Sequence, residues 1–364
     1  MIFFTARCIL RQLVHTNKYY IIGVEKMKNV MKLLILTVAV SCMLSCQNKK
    51  DANQAKKADE QTSVQTAAYE PVTIETYKNS FTFTKVPERV VSLSFSETQL
   101  LVALGLQDKI VGIATAETGV ADCLPEYQET LRKLKVISDS KPTFEVLLES
   151  NPDFVVGTVY SFTQYGVAPA EDFVKNDIPY YALRGTYVEN SGIEDTYKDI
   201  ENLGKIFKVE ERAATLVKRL KEREAQYAAH APKEKSCKVF VYNSGDEKQA
   251  VTIGKNCLDE KIVSMAGGQN IFNDIAKRYG RVSWEEIAVR NPELIVIYDY
   301  NDGNTAGTLE EKIAELKNNP GLSDVEAIKH NNFTSVKLIE VFPGLQIFDA
   351  IEKIQTAIEG ITAH

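Results

Sequence analysis

Two glutamates occupy the same place in two similar stretches of this chain. Residues 143–157 read TFEVLLESNPDFVVG, and residues 283–297 read SWEEIAVRNPELIVI. Glu145 of the first stretch aligns with Glu285 of the second, and the Asn-Pro pairs that follow align at the same offset. Carboxylates at two matching positions can pair with basic groups on a partner surface. We therefore interpret Glu145 and Glu285 as a two-point contact with another protein.

Each stretch predicts a short helix, an Asn-Pro stop and a buried strand. Thr143 and Ser283 are the predicted N-caps, and Ser283 with Glu286 fits the Ser-x-x-Glu capping box. An acid in the first helical turn stabilises the helix dipole by roughly 0.3 to 1 kcal/mol, which is a sufficient reason for either glutamate alone. It does not account for an acid at the identical step of both stretches.

Tyrosines and arginines follow several predicted strands and form a second candidate site. Open α/β sheets bind ligands at the carboxyl ends of their strands. Aromatic walls suit a large planar or catecholate-bearing ligand, and guanidinium groups suit an anionic chelate. Ordinary packing is the alternative for each residue singly, whereas the set together favours a ligand surface. The predicted ligand-binding residues are Tyr160, Arg184, Tyr187, Tyr242, Arg278, Tyr279, Arg281 and Tyr298.

Histidine is scarce, which bears on how a metal would be bound. After the N-terminal segment the sequence contains His230, His330 and His364, which form no metal-ligand pattern. We expect no metal site made by the protein and no intrinsic cofactor. We expect instead a ligand in which an organic chelator or macrocycle already holds the metal. A tyrosinate ligand to iron keeps haem open as well.

Composition and motifs exclude several classes of function. The chain has 364 residues, of which 44% are hydrophobic, and this is enough for two ordinary cores. A formal net charge of -6 argues against a nucleic-acid partner. The sequence contains no Gly-x-Ser-x-Gly, His-Glu-x-x-His or P-loop motif, so we predict that the protein is not an enzyme.

The N-terminal segment has the sequence pattern of a bacterial signal peptide. After a basic start, an apolar run from Leu33 to about Leu44 is too short to span a bilayer comfortably. The MLSC that ends at Cys46 is similar to a lipobox, so Cys46 is the predicted lipidation site within a signal region of residues 1–46. Cys42 is a weaker candidate, and an uncleaved anchor is the alternative. We interpret residues 1–26 as an upstream mis-start.

The rest of the chain divides by composition and periodicity. Residues 47–70 are polar and aperiodic, which predicts a flexible tether between the lipid and a folded body. Strands then alternate with helices, which predicts α/β lobes with parallel sheets. We predict an N-terminal lobe over 71–190, a helical spacer with a long backbone helix over 191–231, and a C-terminal lobe over 232–364.

Several boundaries and one covalent bond remain open to test. Within the lobes we predict a strand at 251–254, loops at 276–283 and 298–302, and a last helix that begins at Pro343. The body contains Cys123, Cys237 and Cys257. Either Cys237 pairs with Cys257, or all three are buried free thiols.

Four segments together resemble one family of bacterial binding proteins. They are PERVVSLSFSETQLLVALGLQDKIVGIA, SDSKPTFEVLLESNPDFVVG, VSWEEIAVRNPELIVI and NPGLSDVEAIKHNNFTSV. In this order, around a spacer helix, they resemble the substrate-binding proteins of ABC importers for ferric siderophores, haem and cobalamin. The resemblance covers residues from about 75 to 362.

The resemblance implies two Rossmann-like lobes joined by one rigid helix, with a ligand cleft between them. It also implies that Glu145 and Glu285 dock on an ABC permease dimer with its ATPase subunits. We therefore expect an exported, lipid-anchored monomer of the periplasm or cell envelope that delivers a ferric siderophore or similar iron complex. Cobalamin or haem is the alternative cargo. A surface capture lipoprotein that does not dock to a permease is the alternative of another class.

Overall fold

The computed structural model describes residues 69–115, 117–230, 236–300 and 307–362. The predicted signal peptide, Cys46 and the predicted tether up to residue 68 lie outside these ranges. No helix within them combines the length and apolar character needed to cross a bilayer.

The N-terminal lobe is built on a five-stranded parallel sheet. A hairpin that the sequence did not predict, β1 (Val72–Thr76) and β2 (Asn79–Phe83), precedes this sheet. The sheet has the order β5-β4-β3-β6-β7, in which the chain winds outward from a central strand in both directions. Its strands are β3 (Val90–Ser92), β4 (Ile110–Ala114), β5 (Val136–Ser138), β6 (Phe154–Gly157) and β7 (Tyr180–Ala182).

The C-terminal lobe has a four-stranded parallel sheet of order β11-β8-β13-β14. A three-stranded antiparallel sheet of order β12-β10-β9 accompanies it. The strands are β8 (Cys237–Tyr242), β9 (Ser244–Gly245), β10 (Gln249–Ile253), β11 (Gly268–Asn270), β12 (Tyr279–Ser283), β13 (Leu294–Asp299) and β14 (Phe333–Lys337). The apolar run of β13 is buried along Leu294 to Tyr298, as expected for a parallel strand covered on both faces.

Helices surround both parallel sheets, which confirms the predicted α/β class. Those of the first half are α1 (Phe95–Ala103), α2 (Glu117–Asp122), α3 (Pro125–Leu131), α4 (Phe144–Glu149), α5 (Ala170–Lys175), α6 (Ile193–Phe207) and α7 (Glu210–His230). Those of the second half are α8 (Leu258–Met265), α9 (Trp284–Arg290), α10 (Leu309–Asn318), α11 (Glu326–Lys329), α12 (Leu338–Val341) and α13 (Ile347–Thr362). Single 3-10 turns occupy 107–109, 159–162, 184–186 and 320–322.

The chain passes from one lobe to the other through α6 and α7, and between β7 and β8 the described residues contain no strand. Helix α7 packs against α6 and α13. Its apolar stripe of Ala213, Leu216, Val217 and Leu220 is buried, and the intervening charged residues are mostly exposed. One continuous hydrophobic cluster runs from β3 and α1 through α6 and α7 to β8 and α13, so the two lobes share a core.

Hydrogen bonds join the lobes beside this core. The Ser96 hydroxyl donates to the Pro343 carbonyl at 2.8 Å. The Gln99 amide donates to the Gln346 side chain at 2.9 Å, and the Gln346 amide donates to the Asp122 carbonyl at 2.9 Å. Ser96, Gln99 and Gln346 are buried, so each bond satisfies a polar group that water does not reach.

Arg278 forms a further contact between the lobes. Its guanidinium donates to the carbonyls of Gly185 at 2.7 Å and Val188 at 3.1 Å, and to the Ser191 hydroxyl at 3.2 Å. All three acceptors belong to the segment that follows β7. Arg278 directly precedes β12, so these hydrogen bonds connect the antiparallel sheet of the C-terminal lobe to the N-terminal lobe.

The loop predicted at 276–283 is wrong, whereas the strand predicted at 251–254 is confirmed with the bounds Gln249–Ile253. The segment 276–283 contains strand β12, which pairs with β10 and has one buried side chain, that of Val282. The predicted strand at 251–254 is β10, which pairs with β12 in an antiparallel manner and does not join the parallel sheet.

The last helix begins at Ile347 and not at Pro343. The residues before it are engaged by the other lobe, because Ser96 binds the Pro343 carbonyl and Gln99 binds the Gln346 side chain. A Cβ on Gly185 would lie 2.4 Å from the Pro343 ring. The close approach of Pro343 therefore requires glycine at position 185.

The proposed bond between Cys237 and Cys257 is absent from the structure. Cys123, Cys237 and Cys257 are buried. Cys257 is a free thiol, so its proposed bond with Cys237 is not formed. Burial raises the pKa of the Cys123 thiol to about 12, and a thiol with so high a pKa is a poor nucleophile.

Arg278→Gln should destabilise the fold by about 1 to 3 kcal/mol, because the shorter side chain leaves partly buried carbonyls without donors. Arg281→Gln, three residues farther along in strand β12, is the matched control. Its exposed ion pair with Asp246 at 3.2 Å should contribute less than about 1 kcal/mol. Urea unfolding of both variants measures the difference. Equal stabilities for the two would contradict a structural role for the Arg278 contacts.

Candidate functional site

A cleft of about 400 Å³ lies between the two lobes. One wall comes from the segments that follow β3, β4, β5 and β6, at the carboxyl edge of the N-terminal sheet. The facing wall comes from the residues after β13 and β14 of the C-terminal sheet. This is the position at which open α/β sheets place their ligands. The predicted cleft between lobes is therefore present.

The walls of the cleft are mainly apolar and aromatic. The aromatic members are Phe95, Tyr160, Tyr165, Tyr300 and Phe342. Hydroxyl groups and a few charged side chains interrupt them, namely Ser94, Ser96, Thr115, Ser140, Ser161, Asp122, Asp139 and Lys141. Aromatic faces with a small number of placed polar groups are typical of a site for a large organic ligand.

The most exposed aromatic ring of the cleft is that of Tyr165, at 80%. Hydrogen bonds hold its segment in place: Lys141 donates to the Tyr165 carbonyl at 2.7 Å, and the Thr163 hydroxyl accepts from the Tyr165 amide at 3.3 Å. The next residue is Gly166, where a Cβ would lie 2.1 Å from the Tyr160 carbonyl. The tight turn thus places the Tyr165 ring at the cleft.

A buried acid stands beside the cleft at the start of α1. Glu97 is completely buried, and its carboxylate accepts a hydrogen bond from the Ser94 hydroxyl. Its second oxygen has no hydrogen-bond partner among the described residues. Burial raises the pKa of Glu97 to about 7, against the opposing hydrogen bond from Ser94. The group therefore exchanges a proton near neutral pH.

An ion pair between Asp122 and Lys337 closes the opposite side of the cleft and joins the two lobes. Asp122 lines the cleft, and its carbonyl is also bound by Gln346. The Asp122 side chain is largely buried and the Lys337 side chain is about one-third exposed, so the lysine neutralises a carboxylate that water reaches poorly. The polar floor of the cleft is thus made by both lobes together.

Of the predicted ligand-binding residues, Tyr160 lies in the cleft lining. Burial raises the pKa of Tyr160, while the charge of Arg278 and a hydrogen bond with Tyr279 oppose that rise. Tyr160, Arg278 and Tyr279 are therefore neighbours, with Tyr160 from the N-terminal lobe and the other two from the C-terminal lobe.

The remaining five predicted residues have other surroundings. Arg184 pairs with Asp195 at 3.1 Å, and Arg281 pairs with Asp246. The ring of Tyr187 packs edge-on against Tyr77. These positions are outside the lining side chains of the cleft.

Tyr242 and Tyr298 are strand residues and point into the core. Tyr242 is completely buried and donates to Glu315 at 2.6 Å. Tyr298 is 3% exposed and donates to the buried Asp259 carboxylate. Strand β13 extends to Asp299, so the loop predicted at 298–302 begins later than expected.

Sequence reasoning missed other lining residues. Ser94, Phe95 and Ser96 follow β3, and the residues from Asp139 to Pro142 follow β5. The strand predicted at 89–95 includes Ser94 and Phe95, whereas β3 ends at Ser92, so an error in the strand end hid the first segment.

The two glutamate corners have the same local structure. Glu145 and Glu285 are exposed, and each is the second residue of its helix. The Thr143 hydroxyl accepts from the Val146 amide at 3.4 Å, and the Ser283 hydroxyl accepts from the Glu286 amide at 3.2 Å. The N-caps are confirmed, but the capping box is half formed because the Glu286 carboxylate pairs with Arg290 at 2.7 Å.

Both corners also end alike. Asn151 and Asn291 adopt left-handed φ angles of 46° and 48° after their helices. A proline and a parallel strand follow in each case. The Glu145 carboxylate accepts from its own backbone amide and from Thr143, which lowers its pKa. Each lobe thus presents an exposed glutamate in the same setting.

An acid at this helical step is by itself common in the chain. Glu126 of α3 and Glu310 of α10 are likewise exposed second residues of their helices. The significance of Glu145 and Glu285 therefore depends on the whole repeated corner. Lys141 and Pro142, which line the cleft, immediately precede the first corner.

Within the described ranges, no group of three or more His, Cys, Asp or Glu is arranged to hold a metal ion. The cleft contains aromatic, hydroxyl and single charged groups instead.

Comparisons with known proteins agree with this architecture. A family model described as periplasmic binding protein matches residues 90–337. The uncharacterized ABC transporter substrate-binding lipoprotein YvrC of Bacillus subtilis is 26% identical over 330 residues, which are 89% of this chain and 95% of that protein. A vitamin B12-binding protein of Yersinia pestis is 26% identical over 215 residues, which are 58% of this chain and 69% of that protein.

Solved structures show the same fold. A periplasmic binding protein from Veillonella parvula has a TM-score of 0.71 at 29% identity and covers 80% of this chain and 99% of its own. An ABC-type Fe3+-hydroxamate transport system protein from Saccharomonospora viridis has a TM-score of 0.68 at 21% identity, with coverages of 79% and 99%. The family model spans more than half of the sequence, and this chain therefore belongs to the periplasmic binding protein family.

Proposed function

We propose that this protein is the substrate-binding component of an ABC importer. In this role it captures a ferric siderophore or similar iron complex outside the cytoplasm and delivers it to the permease and its ATPase subunits. The observation that carries the proposal is the aromatic cleft between the two lobes. The repeated glutamate corners support a partner with two similar binding surfaces.

The chemistry of the cleft supports an organic chelate as cargo. Phe95, Tyr160, Tyr165 and Tyr300 offer faces and edges to a large ligand, and hydroxyl groups of Ser94 and Ser140 offer hydrogen bonds. A free metal ion needs several charged or imidazole ligands at short range, which is a different kind of lining. The cargo in this proposal brings its metal already coordinated.

The cargo has two further candidates within the same machinery. The Yersinia pestis relative is named a vitamin B12-binding protein, and HutB of Vibrio cholerae is named a periplasmic heme binding protein, with a TM-score of 0.58 at 17% identity. These names support cobalamin and haem as alternatives. A capture lipoprotein that holds the chelate without docking is the alternative of another class.

The lipid anchor is part of the proposal. The relative YvrC is named a lipoprotein, and the MLSC sequence ends at Cys46. Lipidation of Cys46 would hold a monomeric binding protein at the membrane, near its permease. Metabolic labelling of the Cys46→Ser variant with an alkyne fatty acid tests this step, because loss of the label identifies the cysteine.

Purified protein should bind at least one metal chelate with a Kd below about 1 µM, as expected for burial of a large ligand in an aromatic cleft. Haemin, cyanocobalamin, a ferric trihydroxamate and a ferric tricatecholate are titrated by absorbance, with native mass spectrometry to count bound ligand. Free Zn2+ should not bind. Binding of free metal alone would show that the proposed class of cargo, a metal chelate, is wrong.

Tyr165→Ala should weaken binding of that chelate about tenfold, because it removes an exposed aromatic face. Tyr165→Phe should retain binding, since it keeps the ring. Isothermal titration of both variants distinguishes ring contact from a role of the hydroxyl. Val174→Ala, an exposed position outside the lining, is the control. Wild-type affinity in Tyr165→Ala would remove this ring from the proposed site.

The double variant Glu145→Ala, Glu285→Ala should abolish uptake of the chelate and leave its affinity for the purified protein unchanged. The reason is that exposed carboxylates outside the cleft act on docking and not on capture. Glu126→Ala with Glu310→Ala is the matched control, because both acids occupy the same helical step outside the repeated corners. Normal uptake by the first double variant would favour the capture lipoprotein.

A further inference from the structure

Exposed hydrophobic side chains are few and unevenly placed. In the described part of the chain the large ones are Val136, Leu148, Tyr160, Tyr165, Val174 and Val289. The two tyrosines belong to the ligand cleft. Leu148 and Val289 lie on α4 and α9, the two helices that carry Glu145 and Glu285. The cleft does not account for these two.

Each of them shares a helix face with a glutamate. Leu148 is three residues after Glu145, and Val289 is four residues after Glu285. Side chains at these spacings are neighbours on a helix surface, roughly 5 to 6 Å apart at Cβ. Leu148 is 37% exposed and Val289 is 86% exposed. Both corners therefore combine an acid with an apolar side chain one turn farther along.

The basic residue next to Val289, Arg290, already forms ion pairs within the protein. Arg290 pairs with Glu286 at 2.7 Å and with Asp274 at 2.8 Å. In the described residues no ion pair involves Glu285 or Glu145. An unpaired acid beside an exposed apolar group complements a partner surface with a basic group beside an apolar depression.

We propose that Leu148 and Val289 are contact residues of the permease docking surface. In each lobe the glutamate meets a basic group of the permease, and the neighbouring apolar side chain is buried against an apolar depression next to it. The partner is the extracytoplasmic face of a permease with two alike halves, because both corners carry a glutamate at the same step and an exposed apolar side chain about one turn farther along, although Leu148 aligns with Ala288 and Val289 with Glu149. This inference rests on the docking role proposed above for Glu145 and Glu285.

The test uses Leu148→Gln and Val289→Gln, which remove apolar contact without adding charge. Association of the full-length protein with proteoliposomes that contain the cognate permease and its ATPase subunits should weaken about tenfold for each variant. Affinity for the chelate should stay at the wild-type value for both variants, since both side chains are outside the cleft, and thermal stability should stay at the wild-type value for Val289→Gln, since Val289 is 86% exposed. Val289→Ile, which keeps an apolar side chain at this position, should retain wild-type association.

Val174→Gln is the matched control, because Val174 is 42% exposed on α5, outside the repeated corners. Wild-type association for Val289→Gln and Leu148→Gln, together with loss for Glu145→Ala, Glu285→Ala, would overturn the apolar contact and leave the docking proposal standing. Wild-type association for all of them would overturn both. Equal weakening by Val174→Gln would overturn the assignment of these two side chains.

Discussion

Burial of one continuous apolar surface holds the two sheets of this protein in place. Leu100 of α1, Ile200 of α6, Val241 of β8 and Ile351 of α13 are all buried in the same cluster, although they belong to different lobes or to the connection between them. Protein interiors are close-packed, so side chains that interdigitate across the lobes determine one relative placement. The cleft lies where this shared core ends and the carboxyl edges of the two sheets face each other.

Hydrogen bonds between the lobes fix their relative orientation. Apolar burial is not directional, whereas the bonds from Ser96 to Pro343 and from Arg278 to Gly185 require specific atoms to meet. Ser96 is also a lining residue, and Tyr160 lies beside Arg278, so the contacts between lobes and the walls of the cleft are made by neighbouring groups. The shape offered to a ligand follows from how the lobes are joined.

Patterns of short range predicted much of the fold. The repeat of a helix, an Asn-Pro stop and a strand was visible because both copies use the same N-cap chemistry and the same left-handed Asn. Strand ends were harder to predict, and the candidate site depended on them. Tyr298 lies inside β13, and side chains in a strand alternate between faces, so an error of two residues at the strand end changed its expected surroundings.

The sequence by itself determined the α/β class, the two alike corners with Glu145 and Glu285, and the alternation that builds each sheet. These depend on residues close together in the chain, through capping and periodicity. Only the tertiary structure decided which side chains form the cleft. Arg184 and Arg281 form ion pairs with acids that are near them in space, and Phe95 and Tyr300 line the cleft from opposite lobes. Partners separated by many residues are chosen by packing and burial, which local patterns do not encode.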